Sequence, residues 1–378
     1  MNIIRSLTPR QAAGNALAAG FRSPAVRILI VGAIQGGTVA IGEALAAAMP
    51  DAGAQALHLD YSGFAGEFAR VRASGDLGET GRFHLLLKTR LLETVLAFRP
   101  EAILGIAQSP LQDPQILSQL RQAGIVLAYW FTEDYRLFPY WKTLAPHFDL
   151  FFAIQTEPFR RELEAAGCRN FRYLPAAYDR RLPPRSLGDP TPFPLSFVGA
   201  PYPNRVHYLS LLGKDSIRIY GEEWDRYGHP GTIVGSRRVT DREAQEVYRR
   251  SAVNLNLHSS MVPKDLGTGD FVNPRTFELA GMGCFQISDM RSLLPLHFHP
   301  ADEVVAVRTW DDMMEAAARY RSATAEREAI AANARRRVLA EHTYQHRAVR
   351  ILEAIQSLRG DRSAGEVRPV THRPTRGF

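Results

Sequence analysis

Short apolar runs alternate along this chain with stretches in which apolar residues recur every three or four positions. The run Val26-Arg-Ile-Leu-Ile-Val-Gly32 is typical of a buried strand, and a helical stretch over residues 39–49 follows it. Strands that alternate with helices in this way predict a doubly wound α/β fold with parallel sheets. The other predicted strands cover residues 54–59, 102–106, 125–131, 147–154, 195–199, 216–220, 252–257, 284–287 and 303–307.

Two long helices are predicted from the spacing of their apolar residues. The first covers residues 82–98, and we expect five of its side chains to face inward: Leu85, Leu86, Leu92, Val95 and Leu96. The second covers residues 344–358 and is the last periodic segment of the chain. Its predicted apolar face consists of Val349, Ile351, Leu352 and Ile355.

The domain division is predicted from length and from one proline-rich segment. A chain of 378 residues is too long for one ordinary core, and residues 179–194 have the composition of a linker. The prediction is an N-terminal domain over residues 1–185, a C-terminal domain over 186–343, a closing helix over 344–360 and a disordered tail over 361–378.

Composition narrows the class of protein and its partners. The chain is 45% hydrophobic with a net charge of +7, which fits a globular protein that favours anionic ligands. It has no basic block with interleaved aromatic residues, so no nucleic-acid partner is predicted. No apolar run has the length of a transmembrane segment, and Cys168 and Cys284 read as reduced core residues. We therefore expect a cytoplasmic protein.

The stretch from Asp270 to Asp289 reads as loop, helix, tight turn and buried strand. Asn273 is a good N-cap and Pro274 follows at the first helical position, where a missing N–H costs nothing. A helix N-terminus offers free N–H groups to an anion such as a diphosphate. Glu278 lies one turn further on, where a carboxylate can accept hydrogen bonds from two vicinal hydroxyls of a ribose. The alternative is a capped helix whose Glu278 is merely solvated.

Polar residues that follow predicted strands are the other candidates for a binding cleft. In open α/β sheets ligands lie beyond the carboxyl ends of the strands, which selects Gln108, Glu133 and Asp134. A capping loop is the alternative for Glu133 and Asp134. The glycine-rich turn over residues 32–37 is not a GxGxxG motif and has no Walker lysine, so we expect it to serve strand-to-helix passage.

A set of motifs gives the chain a family resemblance. Tyr129-Trp-Phe-Thr-Glu-Asp134 and Leu174-Pro-Ala-Ala177 belong to it in the first half. The second half contributes Phe197-Val-Gly199, Pro203-Asn-Arg205, Ile219-Tyr-Gly221, Asn254-Leu-Asn-Leu-His258, Asn273-Pro-Arg-Thr-Phe-Glu278 and Gln286-Ile-Ser-Asp289. Together they resemble the CgeB-type, group 1 glycosyltransferases of the GT-B fold. The resemblance implies two Rossmann-like domains that face a cleft, with a C-terminal helix that crosses back.

The resemblance also implies a hexosyltransferase-like enzyme that uses a nucleotide-sugar donor and no metal or other cofactor. Asp270 and Glu278 match an acid-x7-acid element, in which the second acid holds the ribose and the first lies near the donor sugar; Asp is one methylene shorter than the Glu of that pattern. Arg205, which we place in a turn before a helix, matches the residue that meets the diphosphate; a surface arginine is the alternative. The other donor-binding positions implied are Gly199, Tyr220, Gly221, His258, Asn273, Arg275 and Thr276. His258 can equally be a satisfied polar residue at a strand end.

Catalysis and metal binding are less constrained by the sequence. Glu133 and Asp134 are the candidates for an acceptor base, with Asp270 near the donor sugar. His297-x-His299 and the pair His342 and His346 have metal-like spacing, but no carboxylate or cysteine cluster accompanies them, so no metal site is predicted.

Two other functions remain open. One is a nucleotide-sugar epimerase of the same fold, which would turn over its substrate without an acceptor. The other is a non-catalytic sugar-binding or assembly protein, against which the joint presence of Arg205, Asp270 and Glu278 argues.

Overall fold

The computed structural model describes residues 25–186, 188–213, 217–227, 232–233 and 237–366. These residues form two parallel β-sheets with helices packed against them. The lead-in over residues 1–24 and residues 367–378 of the predicted tail lie outside the described part of the chain.

The first sheet is built from the N-terminal half of the chain. Its strands lie in the order β2-β1-β3-β4-β5-β6, so the order reverses between β1 and β3. Their bounds are β1 Arg27–Val31, β2 Gln55–Leu59, β3 Ala102–Ile106, β4 Val126–Phe131, β5 Leu150–Ala153 and β6 Phe171–Tyr173. The helices between them are α1 Val39–Ala48, α2 Ala65–Ser74, α3 Leu77–Phe98, α4 Pro114–Gln122, α5 Trp141–Leu144 and α6 Phe159–Ala165.

The second sheet repeats this arrangement in the order β12-β11-β10-β7-β8-β9. Its strands are β7 Phe193–Val198, β8 Arg218–Tyr220, β9 Thr232–Ile233, β10 Ser251–Asn256, β11 Gln286–Asp289 and β12 Val305–Val307. The remaining helices are α7 Pro203–Leu209, α8 Asp241–Arg250, α9 Pro274–Gly281, α10 Trp310–Ser322, α11 Thr324–Glu341 and α12 Tyr344–Glu366. Short 3₁₀ helices cover Met49–Ala52, Ser62–Phe64, Ala145–His147, Trp224–Tyr227 and Leu294–Leu296. The two sheets confirm the predicted fold class.

Helix α12 leaves the second domain and packs against the first sheet. Ile351, Leu352 and Ile355 are buried in the same cluster as Ile28 and Ile30, which point to one face of β1. The C-terminal helix therefore crosses back. Residues 361–366, which the sequence assigned to an irregular tail, continue this helix.

The inward face of α3 differs from the one predicted. Phe83, Leu87 and Leu91 are buried against the first sheet. Of the five residues expected inward, Val95 is partly buried and the other four are exposed: Leu85, Leu86, Leu92 and Leu96. Leucines occupy so many positions of this helix that two apolar stripes compete, and the stripe with the aromatic ring of Phe83 faces the core.

Helix α7 begins two residues before Arg205, at Pro203. Proline at the first helical position is favoured because its fixed φ suits a helix and its missing N–H has no partner there. The prediction that Arg205 lies in a turn is therefore wrong. It lies in the first turn of a helix that leads away from β7.

Candidate functional site

The carboxyl ends of the two sheets meet through the side chain of Asp270, which lies in the loop between β10 and α9. Asp270 Oδ1 accepts hydrogen bonds from Gln155 Nε2 at 2.8 Å and from Arg136 Nη1 at 3.2 Å. Both donors belong to the first domain, where they follow β5 and β4. Arg136 Nη1 also lies 3.7 Å from Asp134 Oδ1. Two carboxylates from opposite walls of the cleft thus share one guanidinium.

One oxygen of Asp270 has no hydrogen-bond partner among the described residues. Its Oδ2 atom is buried and accepts no hydrogen bond from the described residues. A buried carboxylate oxygen without a donor costs about 1–3 kcal/mol or more. A hydroxyl donor placed beside Oδ2 would satisfy this oxygen.

Helix α9 starts at this cleft as the sequence predicts. The Asn273 side chain accepts from the Thr276 N–H at 3.0 Å and donates to Asn256 Oδ1 at 2.9 Å. Thr276 Oγ1 donates to Asn273 and accepts from Asn256 Nδ2 at 2.8 Å. The side chains of Asn273 and Thr276 therefore hold the start of α9 through hydrogen bonds, and their role is to orient its N-terminal turn.

Two arginines, Arg205 and Arg275, lie beside this helix start. Arg205 donates to the carbonyl oxygens of Leu257 and Ala200, and Arg275 Nε donates to Tyr248 Oη at 3.0 Å. Both guanidinium groups lie within 6 Å of the Phe197 ring, at 5.3 Å and 5.9 Å. In the described part of the chain neither has an acidic side chain within 4.0 Å.

The positive charge of this pair is concentrated and partly desolvated. Arg205 is 6% exposed, so the alternative of a surface arginine is excluded. Burial and the nearby Arg275 lower the pKa of Arg205 to about 9, which still leaves it protonated at neutral pH. Arg275 Nη1 is buried and has no hydrogen-bond acceptor among the described residues. An anion placed here would offset both charges and satisfy this donor.

Glu278 lies one turn beyond Arg275 on α9. Its side chain is half-buried and makes no hydrogen bond within the described residues. Burial raises its pKa to about 7, although the positive charge of Arg275 acts in the opposite direction. Hydroxyl groups of a ligand would donate hydrogen bonds to this carboxylate and stabilise its charged form.

His258 has a different place from the one the donor-binding prediction requires. Its Nδ1 atom lies 2.8 Å from Asp289 Oδ1, and its Nε2 atom accepts from the Asn273 N–H at 3.1 Å. The ring is fully buried, and burial lowers its pKa to about 4. Asp289 also pairs with Arg291. Both ring nitrogens thus have hydrogen-bond partners within the protein, and His258 holds the loop that carries Asp270 in place.

The two site glycines bring β7 and β8 close together under Arg205. Gly221 has φ +151°, and a Cβ atom on it would lie 2.3 Å from the Gly199 carbonyl oxygen. That carbonyl accepts a hydrogen bond from Trp224 Nε1 at 2.7 Å. Tyr220 is buried in the core cluster of Tyr248. These three predicted positions support the site through the backbone and the core.

Glu133 lies at the end of β4 with two oriented donors. Its carboxylate accepts from Gln108 Nε2 and from Tyr140 Oη, the second at 2.5 Å. Burial raises the pKa of Glu133. Gln108 has φ +65°, an uncommon conformation for a residue with a side chain, and such conformations cluster at functional sites. Burial raises the pKa of Tyr202, a residue of the second domain, and the nearby negative charge of Glu133 raises it further.

Two of the histidines with metal-like spacing contact each other and neighbouring polar side chains. His297 and His342 do meet, with ring centroids 5.1 Å apart, beside a pocket of about 710 Å³ under α12. His297 Nε2 lies 2.6 Å from Tyr173 Oη, and Arg347 Nη2 donates to His342 Nδ1 at 3.0 Å. Burial lowers the pKa of these two histidines to about 4 and about 3. Among the described residues no group of three metal-binding side chains is present.

Three residues of the cleft were absent from the sequence prediction: Arg136, Gln155 and Tyr140. Gln155 lies two residues beyond β5, so the rule that selected Glu133 also applied to it. Arg136 lies in the same loop as Asp134. The contacts of Arg136 and Gln155 with Asp270 span 134 and 115 residues of sequence, which no local pattern reveals.

Part of the chain matches a known protein family. Residues 205–353 match a family model described as glycosyl transferase-like. That segment begins at Arg205 and contains Asp270, Arg275 and Glu278. No curated protein matches the chain significantly.

Several solved structures share the two-domain architecture. Sucrose-phosphate synthase from Thermosynechococcus elongatus has a TM-score of 0.60 at 12% identity, with 89% of this chain and 100% of that chain covered. Anabaena HepE in complex with UDP and glucose gives 0.60 at 12% identity, with coverage of 88% and 100%. A glycosyltransferase from Rickettsia africae gives 0.58 at 11% identity, with coverage of 89% and 99%.

These findings confirm the predicted GT-B fold, and the family match is limited to a segment in the second half of the chain. No described helix is long and apolar enough to cross a membrane. The chain has the GT-B fold, and its residues 205–353 form a glycosyl transferase-like segment.

Proposed function

We propose that this protein transfers a hexose from a nucleotide-sugar donor to an acceptor held by the first domain, in the manner of the CgeB-type enzymes. The observation that carries the proposal is the pair Arg205 and Arg275 at the start of α9, with no acidic partner within 4.0 Å in the described chain. Two buried or half-buried cations next to a helix N-terminus form a strong site for a diphosphate.

The nucleotide-sugar donor would bind in the cleft in a single orientation. Its diphosphate would contact Arg205 and Arg275, which stabilise the negative charge that develops on the leaving group. Glu278 would accept hydrogen bonds from the ribose hydroxyls. The Oδ2 atom of Asp270 would accept a hydrogen bond from a hydroxyl of the sugar, because this oxygen has no donor among the described residues.

Glu133 is our choice for the base that deprotonates the acceptor. Gln108 and Tyr140 fix its carboxylate, and burial raises its pKa toward the range in which a carboxylate accepts protons well. Burial also raises the pKa of Asp134, but Asp134 has the Arg136 guanidinium 3.7 Å away. A neighbouring cation makes a carboxylate a poorer base, and this favours Glu133.

The compartment and subtype are part of this proposal. Cys168 and Cys284 are both free and buried, which fits a reducing cytoplasm.

HepE, one of the similar structures, was solved with UDP-glucose, which makes UDP-sugars the first donors to test. A thermal-shift panel of UDP, GDP, dTDP, CDP and ADP sugars should raise the melting temperature with the correct base. Turnover without an acceptor would indicate an epimerase, and binding without turnover a non-catalytic protein.

Glu278→Ala is expected to weaken nucleotide binding while the fold survives. Losing a hydrogen bond to a charged group costs about 1.5–3 kcal/mol, so the Kd should rise roughly 10- to 150-fold. Calorimetric titration of the purified variant measures this directly. Glu315→Ala on the exposed face of α10 is the matched control and should bind as the wild type does. Equal affinity of the folded Glu278→Ala protein would remove Glu278 from the donor site.

Transfer is expected to continue in excess EDTA. The proposed diphosphate site already holds two guanidinium groups and a helix N-terminus, which supply the positive charge that a divalent ion provides elsewhere. The rate should be the same with and without chelator. A rate that falls in EDTA and returns with Mg²⁺ or Mn²⁺ would contradict the metal-independent mechanism.

A further inference from the structure

The outer surface of α3 exposes five leucines, here called the outer leucine face: Leu77, Leu85, Leu86, Leu92 and Leu96. Leu77 is 87% exposed, Leu85 63% and Leu96 75%. Leu85, Leu92 and Leu96 are seven and four residues apart, so they line up along one side of the helix. Several exposed apolar side chains on one surface are typical of an interaction site.

The helix that carries this face is firmly held by its other side. Phe83, Leu87 and Leu91 are at most 5% exposed and belong to the core of the first domain. Asp76 caps the N-terminus by accepting from the Glu79 N–H at 2.7 Å. The outer leucine face is thus displayed on a rigid, 22-residue helix.

Three arginines border the outer leucine face. Arg82, Arg90 and Arg99 are exposed and have no acidic partner within 4.0 Å among the described residues. Glu79 is paired with Arg70, which leaves Glu93 as the unpaired acid of the helix within the described chain. Arg82 and Arg99 lie three residues outside Leu85 and Leu96, so one arginine lies at each end of the line formed by Leu85, Leu92 and Leu96.

We propose that α3 docks the protein on the surface of an anionic lipid bilayer. The leucines would enter the interface between headgroups and acyl chains, and the arginines would meet the lipid phosphates. A leucine face bordered by arginines is the arrangement by which helices lie in the plane of a membrane. The helix lies on the membrane and does not cross it, which agrees with the lack of a spanning helix among the described residues.

Charge favours a lipid surface over a second copy of this chain. In a symmetric pair the same arginines would face one another across the contact, and like charges at short distance oppose association. An anionic bilayer gains from every one of these arginines. The net charge of +7 acts in the same direction.

Sedimentation of the full chain with lipid vesicles tests the proposal. Binding to vesicles that contain phosphatidylglycerol is expected, with weaker binding to pure phosphatidylcholine. Leu85→Gln together with Leu96→Gln should lower the partition coefficient by about tenfold or more. Arg82→Gln and Arg90→Gln should each lower binding to anionic vesicles by about fivefold.

The matched control is Leu211→Gln, because Leu211 is a leucine 58% exposed in the second domain. It should bind vesicles as the wild type does, and thermal melting should show that every variant is folded. No vesicle binding by the wild type, or equal binding by the Leu85→Gln, Leu96→Gln variant, would overturn the proposal. A dimer in analytical ultracentrifugation that the same double substitution abolishes would assign the face to a second copy and would also overturn it.

Discussion

Replacing Glu133 by Gln is expected to lower kcat by about 10²–10⁴-fold and to leave donor affinity unchanged. The substitution removes the charge that accepts the acceptor's proton and keeps the size of the side chain. The amide oxygen of the new side chain would still accept from Gln108, so the loop after β4 should keep its shape. Steady-state kinetics with a saturating donor, together with calorimetry for donor binding, measure the two effects separately.

The pH dependence of the same enzyme gives an independent check. A general base works only when deprotonated, and burial places the pKa of Glu133 above its usual value. The wild-type kcat/KM should therefore fall as the pH drops through that raised pKa, and this acidic limb should be missing in Glu133→Gln.

Two comparison variants decide between neighbouring carboxylates. Glu157→Gln, at an exposed position of the same domain, is the control and should be fully active. Asp134→Asn should cost less than Glu133→Gln, because Asp134 lies beside Arg136. If Asp134→Asn abolishes transfer and Glu133→Gln does not, the base is Asp134 and our assignment is wrong.

The parts of the structure that local chemistry determines were predictable from the sequence. Asn273 followed by Pro274 predicts the start of α9, and the Asn273 side chain does accept from the Thr276 N–H. Pro203 likewise indicates the start of α7, and a helix that starts at Pro203 includes Arg205. Buried apolar runs predicted the sheets because central strands such as β3 and β4 are buried on both faces.

Contacts between distant segments were beyond prediction. The spacing of α3 admits two apolar stripes, and the sheet that it packs on decides which one is buried. His258 could be read as a ligand contact or a satisfied core residue, and Asp289, 31 residues away, decides for the core. The partners of Asp270 come from the other domain, and the residues around Asp270 in the sequence carry no trace of them.

Ending the chain after Glu341 is expected to unfold or loosen the first domain, since this deletion removes α12. Ile351, Leu352 and Ile355 are at most 5% exposed, and burying each contributes about 1.5–3 kcal/mol, or about 5–9 kcal/mol together. A typical domain is stable by only about 5–15 kcal/mol, so this loss is a large fraction of the total. Arg347 is lost as well, which leaves the carbonyl oxygens of Pro175 and Ala176 without their donor.

Ending the chain after Gly360 is the matched control and should be nearly harmless. That protein keeps the buried residues of α12 and also Arg359, which pairs with Glu101 of the first domain. Thermal melting and binding of an apolar dye distinguish the two proteins, because removal of α12 opens the core cluster to which Ile28, Ile30 and Leu45 belong. Donor binding should be lost less than transfer, because Arg205, Arg275 and Glu278 belong to the second domain. A chain ending at Glu341 that melts cooperatively at the wild-type temperature would show that α12 contributes little to the first domain. The crossing helix would then have no part in holding the two walls of the cleft together.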